Sequence, residues 1–345
     1  MRVVVADPPA FTPHYDHELA AALARAGADV ELVTSRFRYG YVGEPVGYRR
    51  REIFYPISSR LFQRSPLRLP VKVLEHPLGL ARLAAARADV VHVQWLAVPE
   101  LDAWLLRQRA PFVLTAHDLL PRRTAHKTRL WRRMFDRFER IVVHSQRGRD
   151  TLAGFGVPAG KLRVIPHPVS VSDPERRDDG RTVLALGTVR PYKQIEHAAE
   201  AARAAGARLL VAGDPVGRLP PLDAAELRLG YLSAAELERA LGDSTVAVFP
   251  YRAELDQSGA LLQTLGAGVP AVVYDVGGLG ETVAAYGAGR VVPPDDVAAL
   301  GNAVRELLDD ESALAEARAG ALRARDVLSW DASAQAHLAL YGELA

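Results

Sequence analysis

Short apolar runs alternate along the chain with longer segments whose apolar residues recur every three or four positions. The runs RVVVA (2–6) and DVELVT (29–34) are rich in β-branched residues and bounded by turn residues, which is typical of buried strands. Between them, residues 14–27 have helical spacing and end at Gly27. This order predicts a parallel sheet covered by helices on both faces. Further strands are predicted at 89–93, 111–115, 140–144 and 162–165.

The alternation breaks at residues 166–180 (PHPVSVSDPERRDDG), which are rich in Pro, then charged, and carry no periodicity. The fold class predicted is therefore α/β, with two tandem doubly wound, Rossmann-like domains that face each other across a cleft. We place the first domain at 1–168, a linker at 169–180, the second domain at 181–328 and a last helix at 329–345. Strands of the second domain are predicted at 182–186, 208–212, 226–229, 245–249, 270–274 and 290–293.

Composition narrows the class of protein. A chain of 345 residues favours two domains, and 49% apolar residues suffice for their cores. The chain has no cysteine, which excludes disulfides and thiolate metal sites and fits a cytoplasmic location. We expect neither a signal peptide nor a membrane span, because the N-terminus lacks a long apolar segment and no apolar run reaches about 18 residues. The net charge of +2 and the lack of a binding motif argue against nucleic acid.

The stretch GTVRPYK (187–193) follows a predicted strand and precedes a predicted helix. Gly187 permits a tight turn, Arg190 offers a planar fork for phosphate oxygens, and Lys193 adds a point charge. Pro191 suits the first turn of a helix. Two cations at a helix N-terminus predict an anion site. The alternative is a solvated loop whose cations are only surface charge.

The stretch DQSGALLQ (256–263) lies at the end of another predicted strand. Asp256 can cap a helix that begins near Gln257. Ser258 and Gly259 then lie in the first turn, whose N–H groups are unsatisfied, and their small side chains let a phosphate approach closely. The alternative is an ordinary capped helix.

GTVRPYK, DQSGALLQTLGAGVP and DVGGLGE together resemble the second domain of glycosyltransferase family 4, the retaining GT-B enzymes. A weaker resemblance covers the first half, through HYDHELAAALARAGADVELVT and LTAHDLLP. It implies that the first domain binds an acceptor, that the second binds a nucleotide-sugar, and that the last helix crosses back to the first domain.

The resemblance also implies a role for each matching residue. Arg190 and Lys193 would hold the diphosphate, and His117 would line the sugar pocket, so these three form the predicted catalytic set. The first helix would contact the acceptor through His14, Tyr15, Asp16 and His17, although capping and surface polarity explain these residues equally well. The predicted donor-binding residues are Gly187, Thr188, Gly230, Tyr231, Leu232, Asp256, Gln257, Ser258, Gly259 and Gln263.

Three features depart from the family pattern. Glutamates are usual in the family at the positions of Leu255 and Gln263, and a glutamine can accept one hydrogen bond from the ribose but lacks the charge of a glutamate. Thr188 stands where an arginine is common, and we expect Arg190 to replace it. The loop after the first strand reads DPPAFTPHYDHE and lacks the usual glycines, which leaves the acceptor side undefined.

The predicted function is a retaining, metal-independent transfer of a sugar from a nucleotide-diphosphate donor to a hydroxyl acceptor, in polysaccharide, glycolipid or glycoconjugate synthesis. No cofactor and no metal are expected, because the acidic pairs 178–179, 295–296 and 309–310 are interpreted as solvated charge. An epimerase or hydrolase on the same fold is an alternative that would need Glu254, Asp256 or Glu281 as acid or base. A non-catalytic two-lobed binding protein is another. A dehydrogenase is disfavoured, because no G-x-G-x-x-G follows the first strand.

The segment 121–140 is the most basic stretch of the chain. One interpretation packs its apolar stripe on the sheet, with the arginines in solvent. The other lays it on the inner face of a membrane and gives the protein a peripheral membrane association. The stripe consists of Leu130, Trp131, Met134, Phe135 and Phe138.

Overall fold

The computed structural model describes residues 1–37, 40–61, 68–107, 109–121, 123–222, 224–252 and 257–344. The chain divides into two compact units. Unit 1 comprises Met1–Pro166 and Trp330–Ala345, and unit 2 comprises His167–Ser329.

The described residues form one sheet in each unit. The strands of unit 1 are β1 (Arg2–Asp7), β2 (Asp29–Ser35), β3 (Arg49–Phe54), β4 (Val90–Val93), β5 (Phe112–Thr115), β6 (Arg140–Val143) and β7 (Leu162–Val164). Those of unit 2 are β8 (Thr182–Leu186), β9 (Arg208–Gly213), β10 (Glu226–Leu229), β11 (Val246–Phe249), β12 (Ala271–Tyr274) and β13 (Gly289–Val292). All of these strands pair in parallel, in the orders β3-β2-β1-β4-β5-β6-β7 and β10-β9-β8-β11-β12-β13. The two doubly wound sheets predicted from the sequence are thereby confirmed.

Helices fill the crossovers between these strands. The helices are α1 (Pro13–Arg25), α2 (Arg68–Ala84), α3 (Pro99–Leu105), α4 (Thr128–Asp136), α5 (Gln146–Phe155), α6 (Ile195–Ala204), α7 (Ala234–Gly242), α8 (Gly259–Gly266), α9 (Gly277–Tyr286), α10 (Val297–Asp309), α11 (Glu311–Val327) and α12 (Trp330–Gly342). Short 3₁₀ turns lie at Ser58–Arg60, Ala159–Lys161 and Pro191–Lys193.

The apolar runs are strands because both faces of each sheet are covered. Val3, Val4 and Val5 of β1 are fully buried, as expected for a central parallel strand. The last helix belongs to unit 1, since Tyr341 packs with β1 and α1 and its hydroxyl lies 2.6 Å from Nδ1 of His92. His92 is thus a core histidine, and burial holds its pKa well below the usual value.

Strand β3 does not appear in the sequence-based prediction. Its sequence RRREIF is mostly charged, because β3 is the edge strand next to β2 and exposes its arginines. Arg49 pairs with Asp29 and Arg51 pairs with Glu31 on the neighbouring strand. An edge strand protected by charge has no apolar run from which it could be recognised.

The predicted linker at 169–180 is packed against unit 2. The N–H groups of Val169 and Arg177 donate to the carbonyls of Leu328 and Gly242. Asp178 accepts from Thr245 and forms an ion pair with Arg318. The segment has no periodicity, because its hydrogen bonds and ion pairs go to several different elements of unit 2.

The basic segment around α4 is also shorter and more deeply packed than the sequence suggests. Trp131, Met134, Phe135 and Phe138 are at most 3% exposed and lie in the core of unit 1, while Leu130 is half-buried. The apolar stripe is therefore occupied by its own sheet, which removes the basis for laying it on a membrane. Among the described residues, no helix is long and apolar enough to span a bilayer.

Candidate functional site

The strand-to-helix connection after β8 is shaped by two glycines. Gly187 has φ +94°, and its N–H donates to the carbonyl of Ala212 at 2.8 Å. Gly213, at φ +146°, lies so close that a Cβ placed on it would overlap the carbonyl of Gly187. Only glycine fits both positions, so two bare backbones meet at the carboxyl ends of β8 and β9.

Lys193 lies in the 3₁₀ turn that follows, with its side chain half-buried. Its Nζ donates to the carbonyl of Leu186 at 3.4 Å and lies 5.0 Å from the ring centre of Tyr251. Burial lowers the pKa of Lys193 to about 8, Tyr192 opposes this shift and Arg190 adds to it. No described carboxylate pairs with this ammonium, so a bound anion would restore the charged form.

The same ammonium lies beside the first turn of α8. Nζ of Lys193 and Cβ of Ala260 lie 3.0 and 3.1 Å from the point where a Cβ on Gly187 would stand. Nothing lies within 4 Å of the corresponding point on Gly259. The two stretches that the sequence singled out therefore meet: the cation lies beside the first turn of α8, and the space around Gly259 is open.

The cap of α8 differs from the prediction. Ser258 is the N-cap, and its Oγ accepts from the N–H of Leu261 at 3.3 Å. Its own N–H is taken by Oε1 of Gln257, whose Nε2 donates to Thr282. Ser258 therefore offers no free amide, and the free N–H groups of the first turn begin at Gly259. Asp256, predicted as the cap, lies outside the described residues, as do Glu254 and Leu255.

Arg190 precedes this turn and is exposed. Among the described residues its guanidinium has neither a hydrogen bond nor an ion pair. Thr188 is half-buried on the same loop. Gln194, which the sequence did not single out, ends the turn at φ +44° and donates to Asp295 at 2.7 Å, which fixes the start of α6.

The next predicted donor contacts follow β10. Gly230, at φ +123°, donates its N–H to the carbonyl of Gly213 at 3.1 Å, so the ends of β8, β9 and β10 are linked. Tyr231 is 52% exposed and Leu232 is half-buried. Gln263 lies half-buried on α8, and its side chain has no hydrogen-bond partner in the described part of the chain.

Five of the six aspartates in the acidic pairs are exposed, and several also pair with arginines or cap helices. Asp178 pairs with Arg318, and Asp309 pairs with Arg181 at 2.8 Å. Asp296 and Asp310 are the N-caps of α10 and α11. Within the described ranges, no three His, Asp or Glu side chains gather closely enough to form a metal site.

In unit 1, polar side chains also follow the strand ends. His117 comes after β5, and its Nε2 lies 2.9 Å from Oε1 of Gln94, which follows β4. The imidazole stacks on Trp95 at 5.2 Å and meets the edge of Tyr15 at 4.8 Å. His144, after β6, lies 3.4 Å away through its Nε2. The His117 ring is thus held on several sides.

A buried carboxyl pair lies at the same edge of the sheet. Asp7 ends β1 and Asp16 lies in the first turn of α1, and both are at most 1% exposed. Burial, followed by the charge of Asp7, raises the pKa of Asp16 well above its usual value. Burial also raises the pKa of Asp7, which accepts from the N–H of Thr12 at 3.2 Å. Burial therefore keeps the Asp16 carboxyl protonated to a higher pH than an exposed aspartate.

The residues predicted to contact the sugar acceptor differ in their solvent exposure. His14 is exposed, whereas Tyr15 and Asp16 are buried. His17 is half-buried, and its Nδ1 lies 2.7 Å from the hydroxyl of Tyr48. Of the four, only His14 is exposed. Asp7 was missed because the DPP motif suggests a loop, although its position directly after an apolar strand was a usable signal.

Comparison with known proteins agrees with this architecture. The Glycosyltransferase Family 4 profile matches residues 15–173, and the Glycosyl transferases group 1 profile matches residues 180–310. The D-inositol 3-phosphate glycosyltransferase of Mycolicibacterium smegmatis is 26% identical over 95% of this chain and 85% of its own length.

Two further relatives are much longer than the segments matched. An exopolysaccharide phosphotransferase of Streptomyces coelicolor is 30% identical over 50% of this chain, and a glycogen synthase of Mycobacterium tuberculosis is 39% identical over 32% of it. The chain spans only 20% and 28% of the lengths of these two relatives.

Solved structures share the fold across the whole chain. Sucrose-phosphate synthase from Thermosynechococcus elongatus has a TM-score of 0.76 at 20% identity, covering 100% of this chain and 99% of the other. HepE of Anabaena, solved with UDP and glucose, has a TM-score of 0.69 at 14% identity and full coverage of both chains. With its two sheets and its two matched domains, the chain belongs to the family 4 glycosyltransferases of GT-B fold.

Proposed function

We propose that this protein is a retaining, metal-independent glycosyltransferase that moves a sugar from a nucleotide-diphosphate donor to a hydroxyl acceptor. The observation that carries the proposal is the meeting of the Lys193 ammonium with the open first turn of α8 above Gly187. The donor is a substrate, and no further cofactor is required. The absence of cysteine fits a reducing, cytoplasmic compartment for the reaction.

The departing diphosphate is the group that most needs stabilisation. Its charge grows as the bond to the sugar breaks, and fixed donors aimed at that charge lower the barrier. Lys193 and the N–H groups of Gly259 and Ala260 form such a set, and Arg190 adds a fork that has no partner among the described residues to give up. These groups can do what a divalent cation does elsewhere.

The segment predicted to contact the nucleotide base is linked to the proposed diphosphate site. The 230–232 segment is linked to Gly187 through Gly213, so a nucleotide whose phosphates lie at Lys193 can extend its base toward the end of β10. HepE, which shares the fold, was solved with UDP and glucose, which supports a nucleotide diphosphate as the donor class.

The sugar-side residue we propose is His117. Its ring is held by Gln94, Trp95 and Tyr15, so its position is fixed before a substrate binds and little side-chain entropy is lost on binding. We infer that the leaving phosphate itself takes the proton of the acceptor hydroxyl. The buried Asp7–Asp16 pair supports this, since neither carboxyl is exposed to act as a base.

Thermal unfolding in the presence of UDP, GDP, ADP and dTDP, with and without EDTA, tests the donor site. A nucleotide at a hundred times its Kd should stabilise the protein by about 2.7 kcal/mol, a shift of several degrees. Lys193→Ala should remove the shift. Arg203→Ala, an exposed arginine on α6, is the matched control and should keep it. EDTA should have no effect.

The pH dependence provides a second readout. Because the pKa of Lys193 is about 8, the nucleotide affinity should fall between pH 7 and pH 9 as the ammonium loses its proton. Lys193→Ala should show no such fall. Absence of a shift with every nucleotide would contradict the proposal. Mass spectrometry of donor with acceptor pools distinguishes transfer from epimerisation or hydrolysis, and donor conversion without an acceptor would favour those alternatives.

A further inference from the structure

A second concave pocket lies entirely within unit 1, near the carboxyl ends of β1, β2 and β3. Three cations line it: Arg36 after β2, and Arg68 and Lys72 on the first turns of α2. We call it the cation pocket. Ser35, Ser58 and Ser59 supply hydroxyl groups to the same wall.

The three cations have no carboxylate partner among the described residues. Lys72 lies 4.5 Å above the ring centre of Tyr55 and is half-buried. Burial lowers the pKa of Lys72, Arg68 lowers it further, and Asp7 partly opposes the shift. The positive charges of Lys72 and Arg68 therefore repel each other, and an incoming anion would offset this repulsion.

The acidic residue of α2 does not neutralise this cluster. Glu75 is buried, and its two carboxylate oxygens accept from the N–H groups of Ile57 at 2.6 Å and Ser58 at 2.9 Å. Its charge thus fixes the 3₁₀ turn that forms one wall of the pocket. Tyr55 is fixed in turn by His76, whose Nδ1 lies 2.8 Å from the Tyr55 hydroxyl.

Two further features mark the pocket as a binding site. Ser58 is 1% exposed, and its Oγ has no hydrogen-bond partner among the described residues, although Ser58 lines the pocket. An orphaned buried hydroxyl costs free energy unless a ligand satisfies it. Ala10 and Tyr55, also in the lining, both have φ +53°, and such strain in residues other than glycine concentrates at functional sites.

We propose that the cation pocket binds the phosphate group of a phosphorylated acceptor, through Lys72, Arg68 and the Ser58 hydroxyl. Three cations and a buried hydroxyl match the several oxygens and the charge of a phosphate ester. The phosphate would hold the acceptor in unit 1 by a group remote from the hydroxyl that receives the sugar. The acceptor role rests on the proposed function, whereas phosphate binding by the pocket does not.

Titration with inorganic phosphate tests the pocket directly, in the full chain carrying Lys193→Ala so that the unit 2 site is removed. Calorimetry should show saturable binding. Lys72→Met should weaken it about tenfold or more, the loss expected for a charge-assisted hydrogen bond. Arg87→Met is the matched control: this exposed arginine follows the far end of α2, about 24 Å along the helix from Arg68, and phosphate affinity should not change.

Ser58→Ala separates binding from folding. Removing an unsatisfied buried hydroxyl should leave thermal stability unchanged or slightly higher, yet phosphate affinity should fall about tenfold. A purely structural serine would not produce this combination. Equal phosphate affinity in the parent, Lys72→Met and Ser58→Ala proteins would overturn the proposal, as would the absence of saturable binding in the parent.

The bound phosphate belongs either to a soluble molecule or to a lipid, and one probe for each distinguishes the two sources. Leu69 on α2, next to Arg68 in the chain, is 69% exposed, so a lipid chain has an apolar side chain beside the pocket. Glucose 6-phosphate serves as the soluble probe and phosphatidylinositol vesicles as the lipid probe. Leu69→Ser should affect only the second. Vesicle binding lost in both Leu69→Ser and Lys72→Met assigns a lipid phosphate, and tight glucose 6-phosphate binding unaffected by Leu69→Ser assigns a soluble one.

Failure of both probes to bind more tightly than inorganic phosphate would contradict the acceptor role. These titrations need no nucleotide. A protein that binds phosphate in unit 1 but no nucleotide at Lys193 would therefore contradict the proposed function and leave the pocket standing. The reverse result would contradict the pocket alone.

Discussion

The two units have the same strand arrangement around their first strand, but the residues at the carboxyl end of that strand are chemically opposite. In each sheet the first strand lies between the second and a later one, β1 between β2 and β4 and β8 between β9 and β11, which is the switch point where open sheets bind ligands. In unit 2, β8 ends at a bare glycine with a cation above it. In unit 1, β1 ends at the buried Asp7, and the adjoining strand ends carry histidines and an aromatic ring.

This difference shows that side chains, and not topology, decide what the switch point can hold. Gly187 and Gly213 remove side-chain volume, so an anion can approach Lys193 and the amides of α8. Asp7 and Asp16 fill the equivalent space with their own buried carboxyls. In unit 1, the cations without a described carboxylate partner lie near the ends of the neighbouring strands instead, in the cation pocket.

The largest effect that sharpens this comparison is expected from Gly187→Ala. A Cβ there meets Nζ of Lys193 at 3.0 Å and Ala260 at 3.1 Å, and φ +94° strains any L side chain. We expect a stability loss of about 1–3 kcal/mol and a nucleotide affinity lower by about a hundredfold. Chemical denaturation and nucleotide titration measure the two effects.

Gly27→Ala in unit 1 is the matched control for that substitution. Gly27 has the same φ of +94° and nothing within 4 Å of its Cβ position. It should show the backbone strain of about 1–2 kcal/mol without any change in nucleotide affinity. Equal nucleotide affinities for the two variants would show that the space above Gly187 is not used by a ligand.

Much of the fold that underlies the difference between the two units could be predicted from the sequence. The strands at 182–186 and 226–229 coincide with β8 and β10, because buried or regularly bounded strands leave clear apolar patterns. Strand β3 and the packed segment 169–180 could not be found, because their partners are distant in sequence and their own residues are polar. The roles of the site residues stay predictions, since a role depends on a bound substrate.

The raised pKa of Asp16 in unit 1 predicts a pH effect from Asp16→Asn. The folded pKa of Asp16 is raised above its value of 3.8, so the stability it contributes is full below that pH and is lost as pH rises through the folded pKa. Within that window the parent should lose about 1.4 kcal/mol per pH unit relative to Asp16→Asn, which stays neutral. Denaturation from pH 4 upward measures the difference, and parallel curves would contradict the raised pKa.

A smaller effect is expected from Tyr55→Phe, which tests how far unit 1 depends on buried polar chains. The hydroxyl of Tyr55 bonds His76, and His76 bonds Asp102 at 2.6 Å. Its loss leaves a buried nitrogen without a partner and should cost about 1–3 kcal/mol. Tyr41→Phe, whose hydroxyl is 3.3 Å from Glu44 on a residue 71% exposed, is the control and should cost less than about 0.5 kcal/mol. Urea midpoints that agree for the two variants would contradict the buried chain.

The smallest effect compares one strained alanine from each unit. Ala10 has φ +53° and is 7% exposed, whereas Ala224 has φ +62° and is exposed. Replacing either by glycine relieves about 1 kcal/mol of strain and costs about 0.5 kcal/mol of chain entropy. Only Ala10 also loses a buried methyl, worth about 0.8 kcal/mol. Ala224→Gly should therefore be stabilising by about 0.5 kcal/mol and Ala10→Gly slightly destabilising. If the urea midpoints place Ala10→Gly above Ala224→Gly, the backbone strain around the cation pocket exceeds what φ alone implies, which would strengthen the contrast between the two switch points.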